Sequence, residues 1–182
     1  MTPLRPPRCA AVATSAVALF TLIPGTGAQG ETLVTATSVP ALEGELMSAL
    51  NRFRAARGLR PFRVSTQLRA AAVRHSSEMA SHGYFAHASP SGRAFWRRIA
   101  LYYPPRGYRS WSVGENLEYG QPALGAAEVL RDWLASPGHR ETVVSTRYRD
   151  AGIGVVFVPS GPGMYDGLPT TIVTLDTGIR RR

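Results

Sequence analysis

The chain has 182 residues, of which 44% are hydrophobic, and a formal net charge of +9 at pH 7. This length and composition fit one compact domain with an N-terminal extension, and they exclude a generally disordered chain. All 21 basic residues are arginines. They are scattered rather than gathered into a basic stretch, apart from a short basic tail at residues 180–182. We therefore expect no nucleic-acid partner.

The first 28 residues have the layout of a secretory signal peptide. Arg5 and Arg8 give a positive start, residues 10–23 are mostly apolar, and small residues lead up to Ala28. The apolar run is too short for an ordinary membrane-spanning helix. Cleavage near Ala28 would remove Cys9, the only cysteine, so disulfides and thiol chemistry would be excluded. We expect a secreted monomer, extracellular or periplasmic, without a membrane span after cleavage.

Residues 29–39 lack periodicity and are interpreted as a linker. A first helix follows Pro40, since apolar residues recur at helical spacing (Leu42, Leu46, Leu50 and Phe53) before Gly58. Ser65 is a suitable N-cap for a second helix, which Gly83 ends. A turn at 89–92 then leads into a short helix.

The remaining elements alternate between strand and helix. Residues 111–119 are interpreted as a strand, and a third long helix is predicted from near Pro122 until Pro137-Gly138 ends it. Residues 152–158 form an apolar run typical of a buried strand, and residues 170–175 are its hairpin partner. This order predicts an α+β domain over residues 40–179.

The histidines and one glutamate are the residues that could carry chemistry. His75 lies on the apolar face of the second helix and is expected in the core, whereas His82 is expected at the surface. His87 follows the helix in a loop, Glu115 lies in a strand behind a glycine, and His139 follows a tight turn. Two imidazoles and a carboxylate could bind a divalent metal or act as general acid and base. Sequence spacing alone would not group them.

Short motifs in a fixed order resemble the bacterial branch of the CAP superfamily, which includes cysteine-rich secretory proteins, venom allergens and plant pathogenesis-related proteins. The resemblance covers about Leu46 to Thr177. It lies in the segments Gly58-Leu59-Arg60-Pro61-Phe62, Ser77-Glu78-Met79-Ala80, Tyr84-Phe85-Ala86-His87, Gly114-Glu115-Asn116-Leu117, Ser136-Pro137-Gly138-His139-Arg140 and Gly152-Ile153-Gly154-Val155, together with Trp133.

The resemblance implies an α-β-α sandwich, in which a small, mostly antiparallel sheet packs between helices. It also implies a cleft lined by two histidines and two acidic residues, which binds zinc or another divalent cation in some relatives. His87, Glu115 and His139 match three of these positions, with His87 and His139 as the metal ligands. Ser136 occupies the place where the second glutamate is expected, so the cleft residues would be His87, Glu115, His139 and Ser136.

Three functions are compatible with such a cleft. The first and favoured one is a secreted binding module for a lipid, a peptide or a cell-wall component, without catalytic residues. The second is a metal-assisted extracellular hydrolase with Glu115 as base, although no nucleophile motif accompanies it. The third is a hydrogen-bonded network of His87, Glu115 and His139 that only fixes the loops to the sheet.

Overall fold

A computed structural model describes residues 35–182 of the chain. The signal peptide expected at residues 1–28, Cys9 and the first part of the expected linker lie outside the described residues. Within residues 35–182, no helix is both long and apolar enough to cross a membrane.

The described residues form five α-helices and five strands. In chain order they are β1 (Thr37–Ser38), α1 (Pro40–Ala55), β2 (Arg63–Val64), α2 (Thr66–His82), α3 (Phe95–Tyr102), β3 (Ser110–Gly120), α4 (Ala126–Ala135), α5 (Pro137–Val144), β4 (Asp150–Val158) and β5 (Thr170–Arg181). A single 3₁₀ turn over Gly163–Tyr165 lies in the connection between β4 and β5.

Local sequence sets both ends of α2, the helix that leads to the candidate site. The side-chain oxygen of Ser65 accepts a hydrogen bond from the backbone N–H of Leu68, 3.3 Å away, and so caps the first turn. Gly83 adopts a left-handed conformation with φ of 63° and ends the helix, as predicted for a glycine C-cap.

The sheet has the order β1-β4-β5-β3, with β2 beside β4. Its long strands are antiparallel, and the register pairs Glu115 of β3 with Asp176 of β5. Only the two-residue strand β2 runs parallel to its neighbour. In the described part of the chain, β3 is therefore an edge strand, whereas β5 is central.

Helices cover both faces of this sheet. On one face, Ile153, Val155 and Leu175 pack with residues of α1, α4 and α5. On the other face α2 lies against β4, where a Cβ at Gly152 or Gly154 would overlap the backbone of α2. The predicted α-β-α sandwich is therefore confirmed, and its middle layer is the mostly antiparallel sheet.

Several boundaries differ from the sequence-based expectation. The helix expected to begin near Pro122 begins at Ala126, and a further helix, α5, starts at Pro137, where the sequence predicted an end. Proline fits the first position of a helix because the N–H that it lacks would have no partner there. Strand β5 continues through Arg180 and Arg181 of the expected basic tail, since both pair with β3. Thr37 and Ser38 of the expected linker pair with β4.

Candidate functional site

The edge strand β3 places consecutive side chains on opposite faces of the sheet. Glu115 lies on the face covered by α2 and α3, where it contacts His87 and Arg98. Asn116 lies on the other face and donates a hydrogen bond from Nδ2 to the backbone carbonyl of His139, 2.8 Å away. The two candidate histidines therefore approach β3 from opposite sides of the sheet.

Both oxygens of the Glu115 carboxylate are engaged. Oε1 lies 2.8 Å from Nδ1 of His87, and Oε2 accepts a hydrogen bond from the guanidinium of Arg98. The side chain of Glu115 is fully buried and that of Arg98 nearly so, whereas the side chain of His87 is 51% exposed. Glu115 and Arg98 thus form a buried ion pair that holds one nitrogen of a solvent-facing imidazole.

The loop that carries His87 is fixed through three of its carbonyl groups. Tyr165 donates its hydroxyl to the carbonyl of Tyr84 at 2.7 Å, and Nε2 of His75 donates to that of Ala86 at 2.9 Å. Arg98 donates to the carbonyl of His87 itself at 3.1 Å. The position of the exposed imidazole is therefore set by buried side chains from other elements.

Asp176 is a second buried carboxyl group in this cluster. It lies on β5 opposite Glu115 and is fully buried. Within residues 35–182, no group forms a hydrogen bond with either of its carboxyl oxygens. Burial, followed by the nearby charge of Glu115, raises its pKa well above the ordinary value. Burial beside Glu115 therefore favours the protonated, neutral form of Asp176.

His75 lies in the core, as predicted, and its ring is fully buried. Burial is the main reason that its pKa falls to about 4, with the charge of Arg98 acting in the same direction. The imidazole is therefore neutral at pH 7, and the bond to Ala86 places its proton on Nε2. Its Nδ1 has no hydrogen-bond partner among the described residues.

His139 lies at the first turn of α5 and is half-buried. Burial lowers its pKa, and the charge of His87 lowers it further. His87 and Glu115 are in direct contact, whereas His139 is held only through its backbone carbonyl by Asn116, the next residue of β3. The place of the His139 imidazole in the cleft remains a prediction.

Ser136 lies where α4 ends and α5 begins and is partly exposed. No hydrogen bond in the described part of the chain joins its side chain to His87, Glu115 or His139. Its place in the cleft therefore remains a prediction. The second acidic group beside Glu115 is Asp176, which comes from the central strand rather than from the helix after Trp133.

The charges around Glu115 decide whether this cluster suits a divalent cation. Within residues 35–182, no three His, Cys, Asp or Glu side chains are grouped so that they could hold a metal ion. Nδ1 of His87 faces Glu115, and the positive guanidinium of Arg98 occupies the other oxygen of that carboxylate. Glu115 therefore has no free oxygen for a cation, because Arg98 and His87 occupy both of them. Its contact leaves Nε2 of His87 unoccupied by Glu115, and His87 and His139 as metal ligands remain a prediction.

Sequence reasoning missed Arg98, Asp176 and Asn116. Arg98 lies beside the buried Ile99 in α3, and no local sequence pattern marks it as buried. Asp176 carried the clearest signal, because it is the only acidic residue in the β-branched, apolar stretch that begins at Thr170. A lone carboxyl group in a central strand is seldom buried without a specific partner.

Comparisons with known proteins agree with this architecture. The profile of the family described as "CAP: Cysteine-rich secretory protein family" matches residues 47–175. The chain is similar to the uncharacterized protein YkwD of Bacillus subtilis strain 168, with 28% identity over 134 residues. That match covers 73% of this chain and 50% of YkwD. The chain thus spans about half the length of the curated relative that it matches.

Solved structures share the fold. One is an extracellular protein containing an SCP domain from Bacillus anthracis, with a TM-score of 0.58 and 22% identity. This similarity covers 79% of the chain and 41% of that protein. Another is an outer surface protein from Borrelia burgdorferi, with a TM-score of 0.63 and 18% identity, covering 81% of this chain and 100% of the other.

Proposed function

Since the chain belongs to the CAP, or cysteine-rich secretory protein, family, we propose that it is a secreted domain that binds an extended peptide at the cleft between His87 and His139. The expected signal peptide and the descriptions of two structural relatives as extracellular and outer surface proteins support this location. The proposal assigns binding rather than hydrolysis to the cleft, for the reason that follows.

The state of Glu115 is the observation that carries the proposal. A general base needs a carboxylate oxygen that can reach a substrate proton or a water. Both oxygens of Glu115 are already engaged by His87 and Arg98, and its side chain is fully buried. The carboxylate therefore fixes the imidazole of His87 at the rim of the cleft. A fixed side chain suits a rigid binding surface, whereas a hydrolytic base would need a free carboxylate oxygen.

The edge of β3 favours a peptide over a lipid or a wall polymer. The carbonyls of Val113 and Leu117 accept hydrogen bonds from the side chains of Tyr148 and Trp133, so these carbonyls point away from β5. Alternate residues of an edge strand share this direction, so the backbone N–H and C=O of Glu115 point outward as well.

Only a small part of the Glu115 backbone is exposed. Glu115 retains 6% of its exposure although its side chain is fully buried, so the exposed part is backbone. An extended peptide can pair with such an edge by strand addition, and the flanking His87 and His139 would contact its side chains. A lipid would leave this backbone unpaired.

The test is an NMR titration of the secreted chain with a capped peptide of alternating Thr and Val. A matched peptide carrying N-methyl groups at alternate positions lacks the donors that strand pairing needs. We expect saturable shifts at the Glu115 amide with the first peptide only. Replacing both histidines, His87→Ala with His139→Ala, should weaken binding by about tenfold or more, the equivalent of one or two good hydrogen bonds.

The variant His82→Ala is the control, because His82 is exposed at the end of α2 and outside the cleft. Equal binding of the two peptides would overturn strand pairing. If phosphatidylglycerol vesicles or a wall fragment cause shifts around the cleft and the peptide causes none, that lipid or wall component is the ligand instead. Zinc titration should leave the melting temperature unchanged, and a rise would show that a metal binds.

A further inference from the structure

A polar pocket lies between α2 and α3, behind the loop that carries His87. Its volume is about 500 Å³, which is within the range of small-molecule sites. A water molecule takes up roughly 30 Å³ in the liquid, so this space suits a ligand of one or two sugar rings. Neither Glu115 nor the cleft histidines line this α2–α3 pocket. Its polar side chains are those of Arg74, Glu78, His82, Ser89, Arg93 and Arg98.

Charge in the α2–α3 pocket is only partly balanced. Arg74 pairs with Glu78 at 2.9 Å, and Arg98 pairs with Glu115. Arg93 is exposed at the rim, and no carboxylate within residues 35–182 forms an ion pair with it. One guanidinium therefore remains for an anionic group of a ligand, which it can hold through two parallel hydrogen bonds.

Glu78 and Arg98, which line the α2–α3 pocket, each have one buried side-chain atom without a hydrogen-bond partner, and that of Glu78 lies 4.0 Å from Nδ1 of His75. Oε2 of Glu78 and Nε of Arg98 make no hydrogen bond to any described residue. Buried polar groups are almost always paired, so a molecule in the pocket is expected to meet them directly or through one water. A ligand that satisfies both must donate and accept, as hydroxyl groups do.

The mouth of the pocket adds apolar surface. Leu101 is 69% exposed there, and the ring of Tyr102 lies beside it. Such surface can pack against the C–H face of a sugar ring. From these three features we propose that the α2–α3 pocket binds a sugar acid, with its carboxylate on Arg93 and its hydroxyls directed toward Glu78 and Arg98. This site shares Arg98 with the cluster that holds His87, but its proposed carboxylate contact, Arg93, lies outside the peptide cleft.

The experiment is a calorimetric titration of the secreted chain with D-glucuronate, and with D-glucose and sulfate as matched probes. We expect saturable binding of glucuronate in the millimolar range. Glucose lacks the carboxylate and sulfate lacks the hydroxyl donors. The affinity for each should therefore be lower than that for glucuronate by about tenfold or more. Raising the salt concentration should weaken binding of glucuronate, because Arg93 is exposed.

Two arginine variants locate the site. Arg93→Gln should weaken glucuronate binding about tenfold, whereas Arg97→Gln should leave it unchanged. Arg97 is the matched control because it is also exposed, lies on the helix that follows Arg93, stacks on Trp96 and does not line the pocket. Circular dichroism of each variant checks that the fold is retained.

Several results would overturn the proposal. These are no binding of glucuronate, equal binding of glucose or sulfate, or equal losses in the two arginine variants. The double variant His87→Ala with His139→Ala must keep its affinity for glucuronate. A loss of glucuronate affinity in this variant would show that the ligand binds in the cleft. Failure of the peptide titration alone would not contradict the proposal for the α2–α3 pocket.

Discussion

At the scale of the residue, Arg98 has the largest consequences. Its guanidinium contacts the buried carboxylate of Glu115 and donates to the carbonyl of His87, so it joins the sheet to the loop. A buried carboxylate that loses its only cation remains in a medium that solvates it poorly. Arg98 therefore stabilises the buried carboxylate of Glu115, and it also helps to orient His87.

We expect Arg98→Met, which keeps most of the length of the side chain, to lower the free energy of unfolding by about 3–5 kcal/mol. Urea denaturation measures this change. Adding Glu115→Gln to the variant should restore part of the loss, because the unpaired charge is then gone. The exposed neighbour provides the control, since Arg97→Met should change stability by less than about 0.5 kcal/mol. Equal losses at positions 97 and 98 would show that Glu115 is stabilised by other groups.

The candidate site was only partly predictable at this scale. His87, Glu115 and His139 were grouped by resemblance, and the contact between His87 and Glu115 agrees with that grouping. Arg98 and Asp176 could not be found in the same way. Their roles depend on which residues face each other across β3, β5 and α3, and pairing between distant segments leaves no local pattern in the sequence.

At the scale of the element, the packing of α2 on β4 depends on the absence of side chains. A Cβ at Gly154 would overlap the backbone of Ala72 and Val73, and one at Gly152 would overlap that of Leu68 and Arg69. The helix therefore lies directly on the strand. This close approach lets Ser76 of α2 donate to the carbonyl of Gly154 at 3.0 Å.

Two Gly→Ala substitutions should change stability in opposite directions. Gly154→Ala should lower the free energy of unfolding by about 1–3 kcal/mol, because the helix must move away from the strand. Gly44→Ala should raise it by about 0.5–1 kcal/mol, since Gly44 lies within α1 and nothing surrounds its Cβ position within 4 Å. Thermal or urea unfolding measures both. A neutral Gly154→Ala would contradict the close contact between α2 and β4.

Elements were more predictable than their ends. Periodicity and caps identified α1, α2 and the long strands β4 and β5, because amphipathic patterns and glycine stops are local signals. The division between α4 and α5 was missed, since a proline after a helix indicates an end and a start equally well. The pairing of Thr37 and Ser38 with β4 was missed because two residues carry no periodicity.

At the scale of the whole molecule, two buried groups make stability depend on pH in opposite directions. The pKa of His75 is lowered to about 4, so the unfolded chain binds the additional proton and stability falls as the pH drops from about 6.5 toward 4. The pKa of Asp176 is raised, so the folded chain holds the additional proton and stability falls as the pH rises above about 4.

Removing either group should reveal the effect of the other. In Asp176→Asn, stability should rise between about pH 4 and 6.5 by at most about 1.4 kcal/mol per pH unit. In His75→Gln, stability should fall as the pH rises through the same range. Urea denaturation across this range measures both slopes. Asp166→Asn is the control because Asp166 is exposed, and identical profiles for all variants would show that neither group has a shifted pKa.

The position of β5 has a consequence for how the protein is made. This strand comes last in the sequence of strands yet lies between β4 and β3, which do not pair with each other in the described part of the chain. A nascent chain that has emerged from the ribosome only as far as Gly161 therefore lacks the strand that joins β3 to β4. The sheet cannot be completed before β5 is available, so the polypeptide stays incompletely folded until that strand has emerged.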